Sequence, residues 1–225
     1  MFFDEYYLIL VVPTMVLSML AQLMVKSTFS KYSKVACSRK ITGQDSAALL
    51  LRENNINDVK IEPVSGSLTD HYSPSDKKLR LSEPVFAAST IAAVGVAAHE
   101  TGHAIQHAVK WGPLVLRSTL VPVANIGSAV GPWIAMAGLL IFPPLYTIGI
   151  LLFSGAVLFY VVTLPVEFNA SNRAIAILRA NNVLNEEELR GVRKVLNAAA
   201  MTYVASALTA IMSLLRLILL SRRRR

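Results

Sequence analysis

Charge is what this sequence has little of. Only 16% of its 225 residues are charged, against about 25% in a typical soluble domain. No Asp, Glu, Lys or Arg occurs from Ser118 to Val166. That stretch excludes an ordinary solvated surface and is too long for a single crossing, because a bilayer core needs about 20 helical residues. The single cysteine, Cys37, excludes an internal disulfide and reads as a plain buried residue. Aspartate is absent after Asp76, which removes it from any downstream acidic role.

What is present is apolar: 54% of the residues are hydrophobic and the mean hydropathy is positive. Phe142-Pro143-Pro144 interrupts the uncharged run near its middle, where two prolines end a helix. Two spans follow, roughly 119–141 and 145–164. Tyr6–Val25 is a third, and Ala198–Leu215 a fourth, ending at Arg216, which is placed to snorkel. The first is preceded by Asp4 and Glu5 and followed by no small-residue cleavage site, so it reads as a retained anchor. The expected organisation is an anchor at 1–25, a catalytic loop domain at 26–118, paired spans at 119–164, a helical connector at 165–197, and a fourth span with a basic tail at 198–225.

The net charge of +8 sits beside the spans, at Lys26, Lys31, Lys34, Arg39 and Lys40 and at Arg222–Arg225. Bases so placed meet anionic lipid headgroups; a nucleic-acid partner is not expected. Loops 26–118 and 165–197 carry twelve and five Lys/Arg, which by the positive-inside rule puts them in the cytoplasm of a multi-pass cell-membrane protein. The terminal arginines fit that scheme poorly. One conclusion is independent of orientation: two crossings separate the loops, so both lie on the same side.

Within 41–113 a small α+β unit is expected. Thr42 and Asp45 form a capping box for a helix through Ala47–Arg52, ending near Asn54-Asn55. Val59–Val64 reads as a strand, and Ser67–Tyr72 with Lys78–Leu81 as a hairpin around Ser73-Pro74-Ser75-Asp76. Ser82 is placed to cap a long helix over about 84–110, stopped by Gly112-Pro113. Ala88, Ala92, Gly95 and Gly102 recur along it at spacings that let another helix approach closely. After the paired spans, Pro165 starts a helix of its own, and Asn185 with Glu188 begins a last helix that runs into the fourth span.

Three of the four histidines fall in Ala97-Ala-His-Glu-Thr-Gly-His-Ala-Ile-Gln-His-Ala108. His99 and His103 are four apart, so on a helix their rings share one face and can reach one Zn²⁺. Glu100 stands beside the first, placed to take a proton from water on the metal without ligating it. This is the H-E-x-x-H arrangement of zinc hydrolases. A catalytic zinc needs a third protein ligand. His107 lies about 12 Å along the axis from His99, too far for three rings to converge, and reads as structural. Glu186–Glu188 form the first turn of a helix and are expected in water. Glu167 remains, just past a membrane exit on the correct side, with His71 of the expected hairpin still open as an alternative ligand. His71 and Tyr72 of the hairpin are candidates to stabilise an oxyanion, the hairpin being a natural edge for an added substrate strand. Trp111 and Tyr6-Tyr7 read as interfacial belt residues.

These motifs together resemble a known family. His99-Glu-Thr-Gly-His103, Leu164-Pro-Val-Glu-Phe-Asn-Ala-Ser171, Gly66-Ser-Leu-Thr-Asp-His-Tyr72 and Lys78-Leu-Arg-Leu-Ser82 are similar to the YugP-type neutral zinc metallopeptidases of bacterial membranes, more distantly related to HtpX-type peptidases and CAAX prenyl proteases. The resemblance implies a mainly α membrane protein: four transmembrane helices plus a small α+β gluzincin-like unit binding Zn²⁺ through His99, His103 and Glu167. In the distant relatives an aspartate braces a zinc-binding histidine; here the matching position is Ser171, with Asn169 as another possible acceptor for an imidazole N–H. Arg173 is a candidate for a supporting or oxyanion role. The expected activity is a zinc metalloendopeptidase acting on peptides or proteins at the membrane surface. The alternatives are a site-2-type intramembrane protease and a non-catalytic, metal-stabilised scaffold or regulator.

Overall fold

The computed structural model describes residues 4–222, so Arg223, Arg224 and Arg225 of the basic tail lie outside the described residues. The protein is a mainly α membrane protein with a small three-stranded mixed sheet. Four helical stretches are long and apolar enough to cross a membrane: Tyr7–Tyr32, Gly112–Leu140, Pro143–Ala180 and Glu186–Arg222. The first opens with a π-helical turn, Tyr7–Val11, that leads into α1 (Val12–Tyr32).

The chain divides into two compact units, one of Met1–Gln22, Gly112–Pro165 and Met201–Arg225, the other of Leu23–Trp111 and Val166–Ala200. In the first unit, small residues let helices meet backbone to backbone. A Cβ added at Gly127 or Gly149 would run into the backbone of the facing helix, at Leu152 and Ala135. Phe153, Ala135, Ala156 and Leu217 fill the space around that contact. Arg216, at the end of the fourth span, has an acidic partner. It donates to Asp4 at 3.0 Å and lies 5.1 Å from the centre of the Tyr7 ring. Pairing neutralises a guanidinium more effectively than partial exposure would in apolar surroundings.

The second unit holds α2 (Gly43–Glu53), β1 (Lys60–Val64), β2 (His71–Ser73), β3 (Lys78–Ser82), α3 (Glu83–Phe86), α4 (Ile91–Ala108) and parts of the helices that carry the spans. Thr42 caps α2 as expected, its hydroxyl accepting from the Asp45 N–H. In the sheet, β3 is central, parallel to β1 and antiparallel to β2, with Leu79 opposite both Ile61 and Tyr72. Strand β2 is therefore an edge. Leu79, Leu81, Val85, Ala93 and Ala97 form the apolar layer that joins the sheet to α4.

Four expectations are corrected here. The long helix over 84–110 is broken: α3 ends at Phe86, and Thr90 starts α4 afresh by accepting from the Ala93 N–H. The segment between is held in sheet-like contact, with Cys37 N–H donating to Ser89 O and Ile91 N–H to Val35 O. Second, Ser82 stands at the helix entrance, but its hydroxyl donates to Asp70 rather than capping. Third, Gly112-Pro113 does not stop a helix; it opens α5 (Gly112–Leu140). Fourth, Pro165 starts nothing. It lies inside α6 (Pro143–Ala180), which continues through it. An interior proline costs about 3 kcal/mol in water, but in apolar surroundings a full break would leave more backbone groups unsatisfied.

The last helix, α7 (Glu186–Arg222), runs unbroken into the fourth span as expected, with Asn185 and Glu188 closing a reciprocal capping box. Glu188 is nevertheless not in water. It is buried, accepting from both the backbone N–H and the hydroxyl of Ser38. Tying down the 33–41 loop outweighs hydration because three donors, the Ser38 N–H and hydroxyl and the Asn185 N–H, satisfy the carboxylate.

Candidate metal centre

Helices α4 and α6 touch at Gly102, where an added Cβ would lie 2.7 Å from the Ala170 carbonyl oxygen. This contact carries the site. His99, three residues before Gly102, and His103, the residue after it, share one helix face, their rings edge to face with centroids 4.8 Å apart. Glu167, one turn before Ala170, points its carboxylate at both. Its Oε2 is 3.3 Å from His99 Nε2 and 3.6 Å from His103 Nε2. The three ligand atoms lie within 4.8 Å of one another. Four ligands around zinc at about 2.0–2.1 Å sit roughly 3.3–3.4 Å apart in a tetrahedron, close to the two separations from Glu167, so the group could hold one small cation. The donors, two imidazole nitrogens and a carboxylate oxygen, suit zinc.

Each histidine is held from behind. His99 Nδ1 lies 3.1 Å from Ser171 Oγ, the position at which the family's distant relatives were expected to differ. His103 Nδ1 lies 3.0 Å from Gln106 Oε1. Both rings thus turn Nε2 to the carboxylate. Burial alone would push the His103 ring down, but Glu167, with Glu100 beside it, outweighs burial and holds it above the usual histidine range.

Glu100 is buried on α4, next to His99, and its Oε2 accepts from the Tyr72 backbone N–H at 3.0 Å. The edge strand β2 and the helix of the H-E-x-x-H segment are joined by that bond. Tyr72 also bonds through its hydroxyl, to His107 Nδ1 at 2.8 Å. Its phenol is pushed up to about 12, by burial first and then by the carboxylates of Asp58 and Asp76. His107, read as structural, is the far end of this clamp. Asp70, just before β2, accepts from the backbone N–H and hydroxyl of Ser82; burial, with a smaller push from Glu100, raises its carboxyl above the usual range.

The structure brings together His99, Glu100, His103, Glu167, Ser171 and the Tyr72 backbone. It does not bring the His71 ring to them. That side chain is exposed, contacting the Thr69 carbonyl oxygen and Arg80. Arg173 donates to Asn169 Oδ1 at 2.7 Å, behind the ligands rather than among them. Two residues escaped the sequence reading. Gln106 is fully buried and links His103 to α6, its Nε2 donating to Val166 O at 2.9 Å and Asn169 Oδ1 at 3.0 Å. Asp70 is the second. A glutamine three residues past a candidate ligand would have been the signal for the first: it shares the ligand's helix face.

Comparison with known proteins agrees with this geometry. Residues 7–222 match the family described as "Putative neutral zinc metallopeptidase". The chain belongs to this family. It is also 47% identical to the "Putative membrane protease YugP" of Bacillus subtilis (strain 168) over 215 residues, covering 95% of this chain and 96% of that protein. No solved structure matches the chain. For a member of a zinc metallopeptidase family, His99, His103 and Glu167 are the group that could hold the metal.

Proposed function

We propose that this protein is a zinc endopeptidase anchored in the cell membrane, with His99, His103 and Glu167 as metal ligands and Glu100 as general base. The observation that carries the reading is the convergence of Glu167 Oε2 on both imidazole Nε2 atoms, at 3.3 and 3.6 Å, with Glu100 one residue from a ligand. Zinc held there would supply a Lewis acid that polarises the scissile carbonyl and makes water acidic enough to ionise near neutral pH. Glu100 takes the proton of the attacking water and delivers it to the departing amine. The Tyr72 N–H fixes the Glu100 carboxylate through one oxygen and leaves the other for that transfer. Strand β2, an edge of the sheet, offers its outer side to an extended peptide, which fits an endopeptidase better than an enzyme that must grip a chain end. Tyr72 is the nearer of the two hairpin candidates for a substrate contact.

The substrates are peptides or proteins at the membrane surface, and the lipids around the spans are the other partners. Cleavage takes place on the cytoplasmic side, because loops 26–118 and 165–197 hold the Lys/Arg excess. The intramembrane alternative would need the histidine helix to lie within the bilayer. Helix α4, at Ile91–Ala108, is not among the four stretches suited to crossing, which favours cutting at the surface.

Glu100→Gln is the test. It keeps the side chain's size and an acceptor for the Tyr72 N–H but cannot take a proton. Zinc content should match the parent while cleavage of a casein-type substrate falls by about 10²–10⁴-fold. Cleavage at the parent's rate would remove Glu100 from the mechanism.

A further inference from the structure

Two motifs of the sequence, at 66–72 and 78–82, supply neither a metal ligand nor the general base. Hydrogen bonds tie them to each other and to α4. Asp70 stands just before β2 and accepts from the Ser82 backbone N–H at 2.7 Å and from its hydroxyl at 2.9 Å, where β3 ends. Two residues on, Tyr72 reaches α4 twice. Its N–H donates to Glu100 Oε2 at 3.0 Å, and its hydroxyl bonds to His107 Nδ1 at 2.8 Å. Glu100 and His107 are seven apart, so they lie on one face of the helix, two turns or about 10 Å apart along its axis. One tyrosine grips both ends of that face.

The grip matters because little else holds β2. The strand is three residues long, lies at the edge of the sheet and pairs only with β3. Few ladder bonds secure so short a segment, and such segments open locally at little cost. The N–H on Glu100 belongs to the backbone, so its place is set by whatever fixes the strand. Asp70 fixes where the strand enters, and the Tyr72–His107 bond fixes its height along α4. Glu100 is buried, so a carboxylate that loses this donor has little water to replace it. We infer that Asp70 and His107 are positioning residues for the general base, acting on Glu100 through the backbone N–H of Tyr72. The inference rests on the zinc-peptidase reading for its effect on rate; the anchoring of β2 does not.

The experiment uses the purified full chain in detergent with zinc bound, and measures cleavage of a casein-type substrate in two backgrounds. In the parent, His107→Leu and Asp70→Ala should each lower kcat about 10–100-fold, as a slightly misplaced catalytic group does. His107→Asn and Asp70→Asn keep hydrogen-bonding groups at those places and should recover most of the loss. In Glu100→Gln no base is left to position, so the same two losses should lower the residual rate by less than about twofold. Zinc affinity, by competition against a chromophoric chelator, should stay within about twofold of the parent. A merely structural role lowers the rate alike in both backgrounds or weakens zinc binding, and either result overturns the proposal. Tyr72→Phe, which removes only the hydroxyl, takes the place of His107→Leu if that variant does not fold. Hydrogen exchange over residues 69–74 of the zinc-free chain gives a readout without activity. Exchange there should quicken about tenfold or more in His107→Leu and Asp70→Ala; protection equal to the parent's overturns the proposal. If the parent cleaves nothing with zinc bound, the peptidase reading fails, and the exchange result still decides whether these residues hold β2 on Glu100.

Discussion

At the scale of single residues, the site depends on atoms that do not touch substrate. Ser171 lies 3.1 Å from His99 Nδ1 and fixes that ring's rotation. Removing such a partner costs typically 10–100-fold in metal affinity, so Ser171→Ala should weaken zinc binding about tenfold in the same chelator competition, without loss of fold. Tyr72 gives a pH signature. Its phenol is raised from 10 to about 12 by burial and by Asp58 and Asp76. A group whose folded pKa lies above its unfolded value contributes stability that is intact below about pH 10 and is lost as pH rises through about 12. Melting temperatures across that window should fall more steeply for the parent than for Tyr72→Phe; equal slopes would show that Tyr72 ionises freely. His99 and His103 were legible from their spacing, and Glu167 from the lack of any other acid on a suitable helix. Gln106 was not, because a glutamine on an apolar helix announces nothing until its partners on α6 are known. Glu188 was misplaced in water because capping chemistry says where a carboxylate's helix is, not what packs over it.

At the scale of elements, the decisive contact is the crossing of α4 and α6 at Gly102. A methyl group there meets the Ala170 carbonyl oxygen at 2.7 Å, so Gly102→Ala must push the helices apart. Overpacking of this kind costs about 1–3 kcal/mol. Expressed at the site, that is about tenfold or more in zinc affinity, measurable by titration. Thr90 separates stability from site geometry. Losing its cap on α4 should cost about 1 kcal/mol, so Thr90→Ala should melt earlier and bind zinc like the parent. The small-residue spacing along α4 was readable in the sequence; the break at 87–90 was not. Its cause is a tertiary pairing with residues 35–37, and no local propensity encodes that. Pro165 shows the reverse error: a strong local signal for a helix start, overridden where the chain runs through an apolar segment.

At the scale of the whole molecule, the charge-poor stretches foretold four crossings, and four helices among the described residues are long and apolar enough to cross, each running beyond the expected span at one end or both. Membership of a zinc metallopeptidase family follows from the match across residues 7–222. The account's central claim is that a carboxylate 64 positions beyond His103 in the sequence completes a metal site with the two histidines of α4. Elemental analysis of the purified full chain tests it most directly. The parent and Glu100→Gln should carry zinc near one ion per chain, and Glu167→Ala should carry almost none after the same dialysis. Zinc retained by Glu167→Ala at the parent's level would contradict the account.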